Sequence, residues 1–80
     1  MSSGKYNEAK LLLQRIPDWR LSRSTLYNLG LCHLKLGLFE ESIQLFNDTL
    51  GLEKAQWKAL IARSKAYRNL ENYHKALSDL

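Results

Sequence analysis

The stretch Thr25-Leu-Tyr-Asn-Leu-Gly-Leu-Cys-His-Leu-Lys-Leu-Gly-Leu-Phe-Glu-Glu-Ser-Ile-Gln-Leu-Phe-Asn-Asp-Thr-Leu50 decides the fold. Apolar residues recur in it at spacings of three and four, which predicts two amphipathic helices, roughly over residues 23–36 and 39–50. Gly37 lies at the break, and glycine readily adopts the left-handed conformation that ends many helices. Because the connection is short, the two helices are expected to be antiparallel neighbours.

The same pattern recurs along the chain at intervals of 33 and 34 residues. Gly30 aligns with Ser64, 34 positions downstream, and Phe46 aligns with Leu13, 33 positions upstream. Further aligned pairs are Phe39 with Tyr73, Ser42 with Ala76, Phe46 with Leu80, Gly4 with Gly37, Tyr6 with Phe39 and Ala9 with Ser42. Helix-turn-helix units of about 34 residues, with a small residue in mid-helix and an aromatic residue opening the second helix, define one repeat class. The chain therefore resembles a tetratricopeptide repeat array.

The resemblance implies an all-α fold, a right-handed α-solenoid of about five helices in antiparallel pairs. Residues 1–22 would hold the second helix of an incomplete repeat, over residues 5–16, and a loop. Residues 23–56 would form a complete repeat and residues 57–80 a partial one, with Gly51 ending the central pair and Asn72 turning the last copy. The residues of that last copy expected to face inward are Trp57, Leu60, Ile61, Ser64, Tyr67, Leu77 and Leu80. Because a repeat cannot bury its apolar face alone, we expect a piece of a longer array, or a chain that self-associates or joins a larger assembly.

Composition narrows the class of protein. Eighty residues make one domain at most, and the lone Cys32 permits no intramolecular disulfide. A single thiol suits a reducing compartment, so a cytoplasmic location is expected. No apolar run approaches the roughly 20 residues of a membrane span, and we expect no signal peptide. The net charge of +4, from 12 basic and 8 acidic residues, favours acidic partners.

Catalysis is not expected from this sequence. Cys32 and His33 are neighbours, but adjacent residues on a helix point about 100° apart and cannot form an activating hydrogen bond. His33 is therefore predicted to be a packed core residue. His74 has no second ligand at metal spacing, and Glu40-Glu41 suits the start of a helix better than a catalytic pair. We predict no enzyme activity, no cofactor and no metal.

The concave surface of the array is the expected binding site. In the family this surface is lined by first-helix residues at fixed phase, and the matching residues here are Tyr27, Asn28, Leu31, Lys35, Lys58, Ile61, Lys65 and Arg68. The last four are spaced three, four and three apart, so they form one stripe on a helix. Three cations at the edge of a groove favour an acidic or carboxylate-terminated peptide. A basic face that is merely solvated is the alternative interpretation of the same pattern.

Some family members hold the C-terminal carboxylate of chaperones with a clamp of Lys, Asn and Arg. Asn28 and Lys58 match two clamp positions, whereas Ala62 stands at the position of the arginine, with Arg63 beside it. Two functions follow from the sequence. The leading one is a protein-interaction scaffold that binds a peptide segment or a partner subunit. The other is an RNA-binding helical repeat, for which Tyr27 is the one aromatic residue expected in the groove.

Overall fold

Helices make up the regular structure of the chain. The computed structural model describes residues 3–54 and 56–78, with side chains described over residues 4–54 and 56–74. The elements are α1 (Ser3–Leu13), a short 3₁₀ helix (Trp19–Leu21), α2 (Arg23–Lys35), α3 (Phe39–Leu52) and α4 (Trp57–Ser78). Each α-helix packs on the next in chain order. No β-strand occurs over the described residues, and the predicted all-α fold of packed helices is confirmed.

The caps of α2 and α3 follow from single residues. Ser22 precedes α2, and its side chain accepts a hydrogen bond from the Thr25 N–H at 3.3 Å, as an N-cap serine does. Gly37 has a φ of 80°. The N–H of Leu38 then donates to the His33 carbonyl oxygen at 2.9 Å, which is the six-to-one bond of a Schellman motif. The predicted break at Gly37 is confirmed.

The pair α2–α3 forms the best-buried part of the molecule. Leu29 and Phe46 are fully buried, and Gly30 lies against the Phe46 ring, so closely that a Cβ on this glycine would fall 2.4 Å from Phe46 Cε1. His33 is buried as predicted, and its Nδ1 donates to the Leu29 carbonyl oxygen at 2.8 Å. The hydroxyl of Thr49 donates to the Leu45 carbonyl oxygen, so this buried polar group is also satisfied.

A row of alanines brings α4 close to α3. Ala59, Ala62 and Ala66 are all buried and form a cluster with Ile43 and Phe46. These residues are spaced three and four apart, so they lie on one face of α4. Small side chains on that face allow the two helices to approach closely.

The second half of the last repeat differs from the sequence prediction, because no separate second helix forms there over the described residues. The helix α4 continues without interruption through Asn72 to Ser78, so the described residues form four α-helices where about five were expected. The five residues in α4 expected to face inward are instead exposed: Trp57, Leu60, Ile61, Ser64 and Tyr67. A second helix folding back from Asn72 would have covered Leu60, Ser64 and Tyr67, and no described element does so. The expected core side chains Leu77 and Leu80 lie outside the described residues.

Two helix boundaries also differ from the expectation. The first helix begins at Ser3 and ends at Leu13, three residues before the predicted end at Ile16. Pro17 disfavours helical geometry at the residue before it, so the helix ends early and the chain leaves it through turns. Gly51 does not end α3, because it lies within a helix that runs on to Leu52.

Candidate functional site

A groove lies between α2 and α4, above the core formed with α3. Its volume is about 390 Å³, and its lining residues are Tyr27, Leu31, Leu34, Lys35, Trp57, Lys58, Ile61, Ala62 and Lys65. Six residues predicted from the sequence are therefore brought together here: Tyr27, Leu31, Lys35, Lys58, Ile61 and Lys65. The α2–α4 groove is the candidate binding site.

The two remaining predicted residues lie at opposite ends of the α2–α4 groove. Asn28 lines a cleft of about 480 Å³ that shares Tyr27 and Lys58 with the groove. Arg68 lines a cleft of about 490 Å³ that shares Lys35 and Lys65 with it. Because neighbouring openings share these residues, we refer to the groove and its two end clefts together as the channel along α2 and α4.

The floor of the groove is apolar and anchored in the core. The Tyr27 ring is half-buried and lies 6.0 Å from the Phe46 ring, centroid to centroid, at a tilt of 49°. Leu31 and Leu34 are also half-buried and pack against the buried cluster of α3 and α4. Helical spacing explains this, since positions 27, 31 and 34 share one face of α2. The floor is therefore held rigidly by the fold.

The rim of the groove is basic. Lys35, Lys58, Lys65 and Arg68 are exposed, and the Lys58 ammonium lies 5.7 Å from the centroid of the Trp57 ring. The described lining of the groove and of both end clefts contains no aspartate or glutamate. Such a channel attracts negative charge.

Arg63 does not take part in the site. Its Nη1 donates to Asn47 Oδ1 on α3 at 2.9 Å, on the side of α4 away from the groove. Ala62, at the clamp position that would carry an arginine, lines the groove floor and is buried. The two clamp matches, Asn28 and Lys58, therefore have no arginine at the clamp position, although Arg23 lines the same cleft.

Sequence reasoning missed two lining residues, Leu34 and Trp57. Trp57 was expected to face inward, yet it is 60% exposed and lines the groove. For Leu34, the spacing of three from Leu31 was the signal that could have identified it. For Trp57, the spacing of four from Ile61 was the corresponding signal.

The Cys32–His33 neighbours show no nucleophile–base arrangement. Burial raises the pKa of the Cys32 thiol, and a higher pKa keeps the sulfur protonated and unreactive. The His33 Nδ1 is occupied by the Leu29 carbonyl oxygen. Across the described part of the chain, no three His, Cys, Asp or Glu side chains are grouped so as to hold a metal ion.

A second opening separates α1 from α2. This α1–α2 cleft has a volume of about 620 Å³ and is lined by Lys5, Tyr6, Ala9, Leu12 and Leu13 from α1, with Asn28, Leu31, Cys32 and Lys35 from α2. Its lining is largely apolar, in contrast to the basic rim of the α2–α4 groove. Leu12 is 62% exposed at the edge of this cleft.

Comparison with known proteins agrees with the helix-pair architecture. The family model described as tetratricopeptide repeat matches residues 24–56. Outer envelope protein 61 of Arabidopsis thaliana is 38% identical over 79 residues, and sperm-associated antigen 1 of Homo sapiens is 43% identical over 53 residues. Peptidyl-prolyl cis-trans isomerase FKBP4 of Homo sapiens is 28% identical over 92 residues. No solved structure gives a significant match.

These alignments cover most of this chain but little of each relative. They include 95% of the chain for outer envelope protein 61 and FKBP4, and 66% for sperm-associated antigen 1. The chain spans 14% of the length of outer envelope protein 61, 20% of that of FKBP4 and 6% of that of sperm-associated antigen 1. The isomerase activity in the name of FKBP4 is therefore a property of that larger protein.

None of the helices in the described part of the chain has the length and apolar composition of a membrane span.

Proposed function

Residues 24–56 are a tetratricopeptide repeat, and on that premise we propose that the chain is a protein-interaction module whose α2–α4 groove binds an acidic peptide segment. The family supports a module that binds other proteins. The observation that carries the finer proposal is a half-buried apolar floor beneath a rim of Lys35, Lys58, Lys65 and Arg68, with no acid in the lining.

The lining of the groove supports a peptide that alternates apolar and acidic side chains. An extended peptide places successive side chains on opposite sides, so alternate apolar residues would meet Leu31, Leu34 and Ile61. The intervening carboxylates, or a free C-terminal carboxylate, would then meet the rim. Each charge-assisted hydrogen bond contributes roughly 1.5–3 kcal/mol when shielded from water and much less when exposed. The proposed function is binding, with no chemical step.

RNA binding receives no support from the family match or from the relatives. The groove also offers little for stacking bases, since the Tyr27 ring already packs against Phe46. The cytoplasmic location expected from the lone Cys32 remains a prediction.

The test uses a fluorescein-labelled octapeptide of alternating leucine and glutamate with a free C-terminal carboxylate. We expect the double variant Lys58→Ala/Lys65→Ala to weaken its binding at least tenfold, or about 1.4 kcal/mol, in fluorescence anisotropy. Neither lysine is at a core position, so the fold should survive.

The matched control is Arg15→Ala/Lys54→Ala, which removes the same two charges at exposed positions away from the groove. If groove geometry matters, this control binds within about twofold of wild type. Equal weakening by both double variants would show that the peptide responds only to net charge, and the groove would not be the site.

A further inference from the structure

The channel along α2 and α4 ends in two clefts of similar size and different chemistry. The cleft at the start of α2 has a volume of about 480 Å³, and most of its lining is neutral and polar: Ser22, Ser24, Asn28 and Gln56. The cleft at the end of α2 has a volume of about 490 Å³ and contains three cations, Lys35, Lys65 and Arg68. We call this second opening the cationic cleft.

The pairing of the cations also differs between the two ends. Arg23 lines the first cleft but forms an ion pair with the Glu53 carboxylate. Within the described lining, this leaves Lys58 as the one cation of the first cleft without an ion pair. The three cationic side chains of the cationic cleft are exposed, and none forms an ion pair or hydrogen bond with another described residue. The positive charge of the channel is therefore concentrated at the end of α2.

Three elements converge to form the cationic cleft. Lys65 and Arg68 are three residues apart on α4, so they share one face of that helix, and Lys35 is the last residue of α2. Gly37 and Phe39, at the turn into α3, also line the opening. Nothing lies within 4 Å of the position of a Cβ on Gly37, so this side of the cleft is clear. Elements of the described chain thus supply all of these walls.

Carboxylates lie outside the described lining of the cationic cleft. Glu40 and Glu41 follow Phe39 in the first turn of α3, and Glu71 follows Arg68 on α4, but none of these acids lines the opening. Three like charges around one cleft raise the local positive potential, which a bound anion with more than one charge would neutralise best.

We propose that the cationic cleft binds a phosphorylated serine or threonine side chain of the peptide held in the α2–α4 groove. This inference rests on the proposed function and names the anionic group that the peptide carries. A phosphorylated side chain has about two negative charges at neutral pH and three acceptor oxygens. A carboxylate has one charge and two oxygens, so three cations match the phosphate better. Arg68 can donate two parallel hydrogen bonds to phosphate oxygens, while the lysines act as point charges.

Spacing along α4 sets the position of the phosphorylated residue in the peptide. Ile61 lines the groove, and Arg68 follows it by seven residues, which corresponds to about 10 Å along the helix axis. An extended peptide advances about 3.3 Å per residue, so the phosphorylated residue should lie about three positions from the apolar residue that contacts Ile61. An odd separation places the two side chains on opposite sides of the peptide, which agrees with alternating apolar and acidic residues.

Fluorescence anisotropy with two labelled peptides of matched charge tests the phosphate site. One is the alternating leucine–glutamate octapeptide with its fourth residue, a glutamate, replaced by phosphoserine, which has a leucine three positions away on either side. The other is the unmodified octapeptide lengthened by one glutamate, so that its net charge is about the same. We expect wild type to bind the phosphoserine peptide about tenfold or more tightly than the glutamate peptide.

Single-charge variants at the two ends of the channel locate the phosphate. Arg68→Ala should reduce the preference for phosphoserine to about twofold or less, and Arg68→Lys should retain part of it. Lys58→Ala is the matched control, because it removes one exposed cation from the other cleft. It should weaken both peptides to the same extent and leave the preference unchanged. Circular dichroism confirms that each variant is folded.

The outcomes separate the phosphate site from the groove itself. Equal affinity of wild type for the two peptides would overturn the phosphate site and leave the proposed function standing, whereas binding of neither peptide would overturn both. Loss of the preference in Lys58→Ala alone would place the phosphate at the other end, and equal loss in Lys58→Ala and Arg68→Ala would indicate a response to net charge. Either result contradicts the cationic cleft. Displacement of the phosphoserine peptide by an equal concentration of inorganic phosphate would show a site for free anions and overturn the peptide assignment.

Discussion

At the scale of single residues, the contact of Gly30 with Phe46 sets how closely α2 and α3 approach. Since a Cβ would lie 2.4 Å from the ring, Gly30→Ala should destabilise the fold by about 1–3 kcal/mol, and Gly30→Leu by more. Urea denaturation measures the effect. Gly51→Ala is the control, because nothing lies within 4 Å of its added Cβ, and it should stabilise α3 by about 0.5–1 kcal/mol. Equal stability of Gly30→Leu and wild type would show that the helix register is wrong.

Cys32 offers a second test at this scale. Burial raises the pKa of its thiol, so the thiolate fraction at neutral pH should be lower than in an unfolded peptide of the same local sequence. We expect alkylation by iodoacetamide to be slow at neutral pH and to accelerate only as the pH rises through this higher pKa. A rate at neutral pH equal to that of the unfolded peptide would contradict the burial of this side chain.

Residue roles in the central repeat could be predicted from the sequence because local signals determine them. The left-handed Gly37 and the buried His33 each depend on a neighbouring turn or on the contact between two consecutive helices. The exposure of Tyr67 could not be predicted in this way, since it depends on an element that would have to fold back over α4.

At the scale of helices, the main difference from the expectation is which face of α4 packs against α3. Ala66 is fully buried and Ser64 is exposed. We therefore expect Ala66→Leu to cost about 1–3 kcal/mol through overpacking. Ser64→Ala, two residues away, should be neutral or slightly stabilising because alanine favours the helix. Thermal or urea unfolding would separate the two, and a destabilised Ser64→Ala with an unaffected Ala66→Leu would reverse the assignment of faces.

The uninterrupted α4 could not be foreseen from the repeat pattern. Asn72 aligns one residue after the Gly37 position, where Glu71 stands instead of glycine. Without glycine, the left-handed turn that separates α2 from α3 is unfavourable at that site, so the helix continues through it. The 34-residue spacing indicates where a turn occurs in a regular repeat, but it carries no information on the residue that makes the turn.

At the scale of the whole molecule, local stability should follow the packing order. The central helices α2 and α3 hold the fully buried Leu29 and Phe46, whereas α1 leaves Leu11 and Leu12 more than half exposed. Amide hydrogen exchange should therefore be slowest in the central pair and faster in α1. If the amides of α1 exchanged as slowly as those of α2, another contact would have to protect this helix.

The overall architecture and the position of the groove could both be predicted from the sequence, since first helices of successive repeats lie side by side. The full lining was not predicted, because Leu34 and Trp57 were missed although each is spaced three or four residues from a predicted lining residue. We propose that the basic rim decides which peptides the groove binds.

Chemical-shift mapping of the isotope-labelled chain tests that claim most directly. The alternating leucine–glutamate octapeptide is titrated into the protein, and backbone amide shifts are followed in two-dimensional nuclear magnetic resonance spectra. Binding in the groove predicts that the largest shifts fall on α2 around Tyr27, Leu31 and Lys35 and on α4 around Lys58 and Lys65. Largest shifts on the exposed face of α3, or no shifts at all at saturating peptide, would contradict the proposed site.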